Sequence, residues 1–517
     1  MGGALALWIA LGPLEGVPHV QDEVVYTLQA RDLLAGGLGS PTPSPGASHS
    51  YHFLLDRAGV RYGVFPPGWP ALLALGVAVG WPALVNPILH GLTVLLGARV
   101  AARLGGATAG WLAAPLLALS PQLLLQGASR MSHVLCGLIA LAACAGLDAP
   151  LTRARAAGVG ALIGALGLVR YLDGAVLLLV AAPALWRSRG GPAVWSAFAA
   201  PLLAAAALVV AHNQAVTGLA GVFPVNAYFD AGIPPSADPW WRYTPGCNRL
   251  GFGQDRGCFP TYGDLGHTPA KALQSLWTNL VIASRLWVGL PLSLGLLAVA
   301  CAGPSTPQRR FARRGLLLWL VVAAAYALYW VPGLCYGARF HHLAAPMVLV
   351  ACALGAAGLL AQAPRYRVAG LLLAVPMVWR LALALPELPG YWGVDGRFAT
   401  LQAEWEGEPA VVLVALTQGA SPRLDTPETT GGGLTAWPQL RRGAWVGAVG
   451  PLVLAEYHPE LIRANQARYP GRRLWLYQRA ERPEDDRMWE LVDTEDALQV
   501  ADLPLPVSPV LLPEARP

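Results

Sequence analysis

Lysine is almost missing from this chain: Lys271 is the single one among 36 cationic residues. Charge of either sign is scarce too, at 13% of 517 residues, about half of what a soluble domain carries. That shortage excludes a fully solvated surface, and with 55% hydrophobic residues and a mean hydropathy of +0.46 it marks an integral membrane protein. A net charge of +6 does not argue for a nucleic-acid partner, because the arginines are scattered among short loops. No basic stretch precedes the N-terminal apolar run, as a cleaved signal peptide would require. No internal repeat or inverted duplication is evident.

Long apolar runs are what the chain has instead. Runs able to cross about 30 Å of hydrocarbon fall near 84–99, 107–125, 133–147, 156–169, 172–186, 192–211, 286–302, 315–331, 343–362 and 368–386. The N-terminal run has some 14 residues before Glu15, about 21 Å of helix, so further turns are expected to precede Met1. "WPALLALGVAVG" (69–80) is too short to span and reads as a helix at the outer interface.

Arginine pairs set the orientation. Arg99 with Arg103, Arg153 with Arg155, Arg187 with Arg189, the cluster "RRFARR" (309–314), and Arg365 with Arg367 occupy alternate short loops, which the positive-inside rule makes cytoplasmic. The expectation is an all-α polytopic protein of about eleven transmembrane helices in the cytoplasmic (inner) membrane, with its N-terminus inside. Residues 1–386 form the membrane domain, with outer loops 15–83 and 212–285. Residues 387–517 hold 19 of the 30 acids, and short apolar runs at 409–416, 452–457 and 473–478 alternate there with a polar helix near "HPELIRANQARY". That pattern predicts a small α/β domain outside the cytoplasm.

Of seven cysteines, Cys136, Cys144, Cys301 and Cys352 lie in apolar runs and read as packing residues. Cys247 and Cys258 share the polar loop "PGCNRLGFGQDRGCF". They form a disulfide if that loop meets an oxidising compartment, and otherwise remain two thiols.

Candidate chemistry begins at "QDEVVYTLQARDLLAGG" (21–37), where Asp22 and Glu23 adjoin the bilayer surface. Asp22 either caps a helix starting at Glu23 or serves as a base; residues 24–35 show no clean apolar stripe. Arg130, Arg170 and Arg339 stand at outer junctions, where the positive-inside rule predicts no cation. A guanidinium fork suits phosphate; the plain alternatives are snorkelling, or for Arg170 an i,i+3 pair with Asp173. His133 and His341 neighbour these arginines, and His341 is followed by His342. "FPPGWP" (65–70) forbids helix at the prolines and is expected to seat Trp69 at headgroup level, with Tyr62 and Phe65 along a substrate path. His49 and His52 lie in a Pro/Ser-rich loop and carry little weight as metal ligands.

The order of an N-terminal span, "DE" with nearby Tyr26, a helix ending in "AGG", and "YGVFPPGWPALLAL" resembles the start of a GT-C membrane glycosyltransferase. The nearest branch is that of the protein O-mannosyltransferases and lipid A aminoarabinose transferases. "SRMSHVLCGL", "GLVRYLDGAVLLL", "NQAVTGLAGVFPVNAYF", "RLGFGQDRG" and "YGARFHHLAAPMVLV" extend the resemblance through the membrane part. It implies a polyprenyl-phosphate-linked sugar as donor, an unidentified lipid, glycan or protein acceptor, membrane lipids as surroundings, and no nucleic acid. It further implies Asp22 as general base of an inverting transfer, Glu23 orienting the acceptor or Asp22's partner, and donor phosphate held by Arg339, Arg170, Arg130, His341 and His133. Tyr26, Tyr62, Phe65 and Trp69 would line the path. No cofactor is certain, and a divalent ion remains open. Related enzymes often carry a basic residue before the two prolines, where Phe65 stands here. A transporter of lipid-linked saccharides is the competing reading; it would place ionisable groups near the bilayer midplane. The arginine pattern is tested by a reporter fused after residue 517, which is expected to be active only outside the cytoplasm; activity inside would invert every loop.

Overall fold

The computed structural model describes residues 1–42, 53–187, 191–231, 245–258, 266–289, 292–303, 306–362, 372–389, 391, 405, 407–416, 452–456, 462–479 and 487–491. Helix α1 (Gly2–Leu11) leads into α2 (Gln21–Leu34), followed by a three-stranded antiparallel sheet of β1 (Gly39–Pro41), β2 (Leu54–Arg57) and β3 (Val60–Gly63), ordered β1-β3-β2. Helix α3 (Gly68–Ala78) starts directly after Pro66 and Pro67, as two prolines at a helix entrance allow.

The bundle follows. Helix α4 (Val85–Leu119) is two antiparallel limbs, because Gly106 at φ 79° reverses the chain. An L side chain disfavours that conformation and glycine does not. After it come α5 (Pro121–Ala128), α6 (His133–Gly146), α7 (Arg153–Val169), α8 (Tyr171–Arg187), α9 (Pro192–Thr217) and α10 (Pro224–Asp230). The second half has α11 (Pro269–Leu286), α12 (Leu292–Cys301), α13 (Thr306–Ala327), α14 (Ala345–Gln362) and α15 (Val375–Ala384). Helix α14 is the central post, with every residue from Ala345 to Ala357 buried. Helix α9 instead leaves Leu203, Leu208 and Val210 exposed, an apolar face suited only to lipid.

The chain is therefore an all-α polytopic membrane protein in its larger part. By length and composition, three helices among the described residues can cross a membrane: Pro82–Leu119, Pro192–Thr217 and Ala345–Gln362. The expected eleven are not reached by that measure. Helix α6 has 14 residues and α12 only 10, about 21 and 15 Å, and the run expected at 286–302 is broken between α11 and α12. The residues 24–35 lack a stripe for a different reason than expected. Helix α2 is enclosed on nearly all sides, with Val24 through Ala30 buried, so no face is left to be polar.

Three apolar runs of the tail are strands: β4 (Ala410–Leu416), β5 (Leu452–Glu456) and β6 (Arg473–Arg479), joined by β7 (Arg487–Glu490) in the order β5-β4-β6-β7. The first three pair in parallel and β7 is antiparallel. A short helix, α16 (Ile462–Arg468), precedes β6. Ala410, Val412 and Tyr477 form one cluster with Val24, Val25 and Leu28, so the sheet backs α2. Each such side chain contributes about 1.5–3 kcal/mol on burial.

At the end of the bundle carrying the arginine loops, Arg314 Nη1 meets Asp148 Oδ1 at 2.6 Å and also donates to the Cys144 carbonyl. Arg103 donates to Ala145 O nearby. Both members of the ion pair are nearly enclosed. Removing one partner of such a pair strands the other, so Arg314→Met should cost about 3–5 kcal/mol. Thermal unfolding in detergent measures it, and a variant melting with the wild type would mean that water already reaches Asp148.

Candidate active site

Helix α2 owes its start to Glu23, not to Asp22. Val20 is the N-cap residue and has no side-chain oxygen; Glu23 reaches back instead, and its Oε2 accepts the backbone N–H groups of Val20 and His19, both at 2.9 Å. That is the carboxylate half of a capping box. The same carboxylate accepts the Arg130 N–H at 2.5 Å and the Tyr336 hydroxyl at 3.2 Å. Glu23 is 1% exposed and its oxygens are fully used. Glu23 is not among the residues that line the cavity, so the structure does not bring it to the wall that Asp22 faces.

Asp22 points the other way, into a cavity of about 650 Å³. One turn on, Tyr26 lines the same wall, its ring 4.7 Å from Phe65. Burial, and then the neighbouring Asp22, push the Tyr26 phenol above its ordinary range, so it stays protonated. Opposite Asp22 stands Arg339, whose Nη1 lies 3.2 Å from Asp22 Oδ2. Arg339 opens a 3-10 turn (Arg339–Leu343) that glycine makes possible. A Cβ on Gly333 would come 2.3 Å from the Phe340 ring, and one on Gly337 would come 2.5 Å from Gln122 Oε1. Gln122 and Gln126, four residues apart on α5, clamp this loop: Gln122 exchanges two bonds with Ala338, and Gln126 donates to Cys335 O.

Arg170, at the junction of α7 and α8, also lines the cavity. Its Nε bonds Asp173 at 3.1 Å, so the plain i,i+3 pairing exists, and the remaining fork reaches the Tyr326 hydroxyl at 3.0 Å. Tyr326 in turn donates to Asp173 at 2.5 Å. Both guanidinium groups sit over the Phe340 ring, at 5.3 Å for Arg170 and 5.1 Å for Arg339. Phe340 itself stacks on Tyr326 at 4.2 Å. One aromatic ring is therefore within cation–π reach of both cations.

The other expected residues lie elsewhere. Arg130 turns from the cavity: its guanidinium donates to Gly16 O, and its carbonyl accepts from Trp69 Nε1. Trp69 is fully buried by that bond, which corrects its expected place at headgroup level. His341 accepts from Trp319 Nε1 and is 2% exposed. His133 is buried beside Phe340, with ring centroids 6.2 Å apart, and does not line the cavity. Neither histidine is placed to touch a phosphate there. Tyr62 lies on β3 and faces outside the cavity lining, while Phe65 is part of it. Cys247 and Cys258 are bonded and fully buried. His49 and His52 fall outside the described residues.

The sequence reading missed Gln122, Gln126, Tyr326, Tyr329, Phe340, Asn226 and Asn248. Only the two glutamines left a local signal, as "QLLLQ" in an apolar helix. Among the described residues no three His, Cys, Asp or Glu side chains are grouped to hold a metal ion, and Asp22 is the sole carboxylate on the cavity wall. The donor set does not fit a divalent cation. It fits an anion beside Arg339 and Arg170, with one carboxylate within reach.

No family model matches the sequence, and no curated protein is significantly similar. Among solved structures, the chain is similar to ArnT from Cupriavidus metallidurans bound to undecaprenyl phosphate, at 14% identity and a TM-score of 0.53, over 92% of each chain. The apo state of the same protein gives 14% identity and a TM-score of 0.50, over 92% of this chain and 91% of that one. The chain shares the fold of that protein. At this identity the likeness concerns the fold.

Two neighbouring carboxylates with opposite surroundings give a separable outcome. Glu23→Gln weakens several charge-assisted bonds at once and should cost about 3 kcal/mol in thermal unfolding. Asp22→Asn keeps the shape and faces the cavity, and should cost less than half of that. The reverse order would place the structural carboxylate at position 22.

Proposed function

We propose that the chain is an inverting glycosyltransferase, moving a sugar from a polyprenyl-phosphate-linked donor to a hydroxyl of a lipid, glycan or protein at the outer face of the cytoplasmic membrane. The observation that carries this reading is one cavity wall holding Asp22 paired with Arg339, and Arg170 beside them over a shared ring. The fold shared with a protein crystallised with undecaprenyl phosphate supports the choice of donor.

In the proposed step the donor phosphate enters beside Arg339 and Arg170. The donor phosphate, a diester carrying one negative charge, competes with Asp22 for Arg339, so donor binding loosens the ion pair and frees the carboxylate. Asp22 then takes the proton of the acceptor hydroxyl while that oxygen bonds the anomeric carbon from the face opposite the phosphate. The bond from the anomeric carbon to the phosphate oxygen breaks, and its electron pair leaves with the polyprenyl phosphate. The two guanidinium groups stabilise the charge developing there. A phosphate is stable as an anion, so no general acid is needed, in contrast to glycoside hydrolysis. Tyr26, protonated, can donate but not accept the proton. Arg130, His133 and His341 have no part in this step, and Glu23 acts by holding Asp22 in place.

Other parts of the reading rest on the sequence pattern. Eleven crossings, with α3 at the outer interface and the N-terminus inside, are proposed from the apolar runs and the paired arginines alone; three helices among the described residues reach spanning length. A division at residue 387 into a membrane domain and an outer tail follows from the change in composition. The protein O-mannosyltransferase and aminoarabinose transferase branch remains the best resemblance by motif order.

Transfer assayed in membranes with a polyprenyl-phosphate sugar should fall at least about 100-fold in Asp22→Asn, with donor binding kept. Arg339→Ala should lose donor binding as well. Full turnover in Asp22→Asn would remove the base and with it the mechanism.

A further inference from the structure

Beside Arg249, a further cation on the wall that pairs with Asp230, the cavity carries two amides. Asn248 follows Cys247 directly, in the loop that the Cys247–Cys258 bridge closes. The same loop is tied down by Gly257 N–H to Cys247 O at 2.8 Å and by Gly251 N–H to Leu328 O at 2.8 Å. Asn226 lies on α10, and both amides line the cavity. Their orientation follows from one obligate donor. The indole N–H of Trp330 can only donate, so Asn248 must present Oδ1 to it, at 3.1 Å. The Tyr329 hydroxyl donates to that oxygen as well, at 3.0 Å. Asn248 Nδ2 therefore faces Asn226 and donates to its Oδ1 at 3.1 Å. The chain of bonds ends at Asn226 Nδ2, a donor that no bond within the described residues uses. Tyr329 links this array to the cationic end, since its ring lies 6.0 Å from that of Phe340.

We infer that the Asn226–Asn248 pair is the sugar subsite, and that it selects a neutral sugar presenting oxygen acceptors over one presenting an ammonium group. This rests on the transferase reading of the cavity. The array ends toward the ligand in the Asn226 N–H donors, while Asn248 Oδ1 accepts from Trp330 and Tyr329 and Asn226 Oδ1 accepts from Asn248. Among the described residues Asp22 is the sole acid on the wall, and it stands at the end of the cavity where Arg339 lies. The Trp330 and Phe229 faces beside the amides suit the C–H faces of a sugar ring, as such sites require. The disulfide fixes Asn248 relative to Trp330, which makes the amide pair a built feature and not a passing contact.

The test uses the full chain in nanodiscs and three ligands: bare polyprenyl phosphate, the same lipid bearing a neutral hexose, and the same lipid bearing 4-amino-4-deoxyarabinose. Wild type should bind the hexose lipid about tenfold more tightly than bare lipid phosphate, the worth of one or two hydrogen bonds. The amino sugar should give no such gain. Asn226→Ala should bring the ratio of hexose lipid to bare lipid affinity close to one. Asn226→Asp, which supplies an acceptor and a charge, should turn the preference toward the amino sugar. A wild-type preference for the amino sugar, or an unchanged ratio in Asn226→Ala, overturns the subsite while leaving the transferase reading intact. Failure of wild type to bind bare polyprenyl phosphate overturns both. Asn226 is half-buried and only accepts from Asn248, so its replacement does not strip Trp330 or Tyr329 of a partner.

Discussion

Four hydrogen-bond donors, drawn from three stretches far apart in the chain, converge on the carboxylate of Glu23. The residues before α2, the turn between α5 and α6, and the loop before Arg339 are all fixed through it. In an enclosed place an ionised group is tolerated only when its oxygens are satisfied, and here their satisfaction has a geometric result. It sets the start of α2, and so the direction of Asp22, against the loop that carries Arg339. The ion pair between those two is a consequence of the knot behind it. Gln122 and Gln126 repeat the device from α5, with neutral amides holding the same loop from another side.

Much of the fold was legible in the residues because a membrane simplifies the problem. Apolar runs place helices without any knowledge of packing, whereas the paired arginines expected in loops lie within helices: Arg99 and Arg103 in α4, Arg153 and Arg155 in the first turn of α7, and the 309–314 cluster in α13. Crossings by length were less legible, since helices inside a bundle are shortened and broken by their neighbours: α6, α12 and the two limbs of α4 each differ from a straight span. The strands of the tail were visible as apolar runs in a polar context. The enclosure of α2 was not, because a helix buried all round and a helix with no role in a core both lack a stripe.

The site was partly legible. Residue type and depth named Asp22, Arg170 and Arg339, and these line one cavity. The same criteria named Glu23, Arg130, His133 and His341, which do not reach it. Depth along the bundle says how far a side chain is from water, but not which way it faces. Arg130 makes the point: it stands at the right level and spends its guanidinium on Gly16. Single asparagines such as Asn226 and Asn248, in loops far apart in sequence, leave no local pattern at all. For Arg170 the i,i+3 pairing with Asp173 is present, and it does not take the side chain off the cavity wall.

Helix α2 has two faces in use. Asp22 and Tyr26 look into the cavity, while Val24, Val25 and Leu28 rest against Ala410, Val412 and Tyr477 of the tail sheet. A segment synthesised long after α2 thus supplies its back wall. Until the ribosome has released β6, that helix has an uncovered apolar side, although the bonds to Glu23 already set where it starts. Full enclosure of the helix that carries Asp22 therefore comes only once the tail sheet has folded against it.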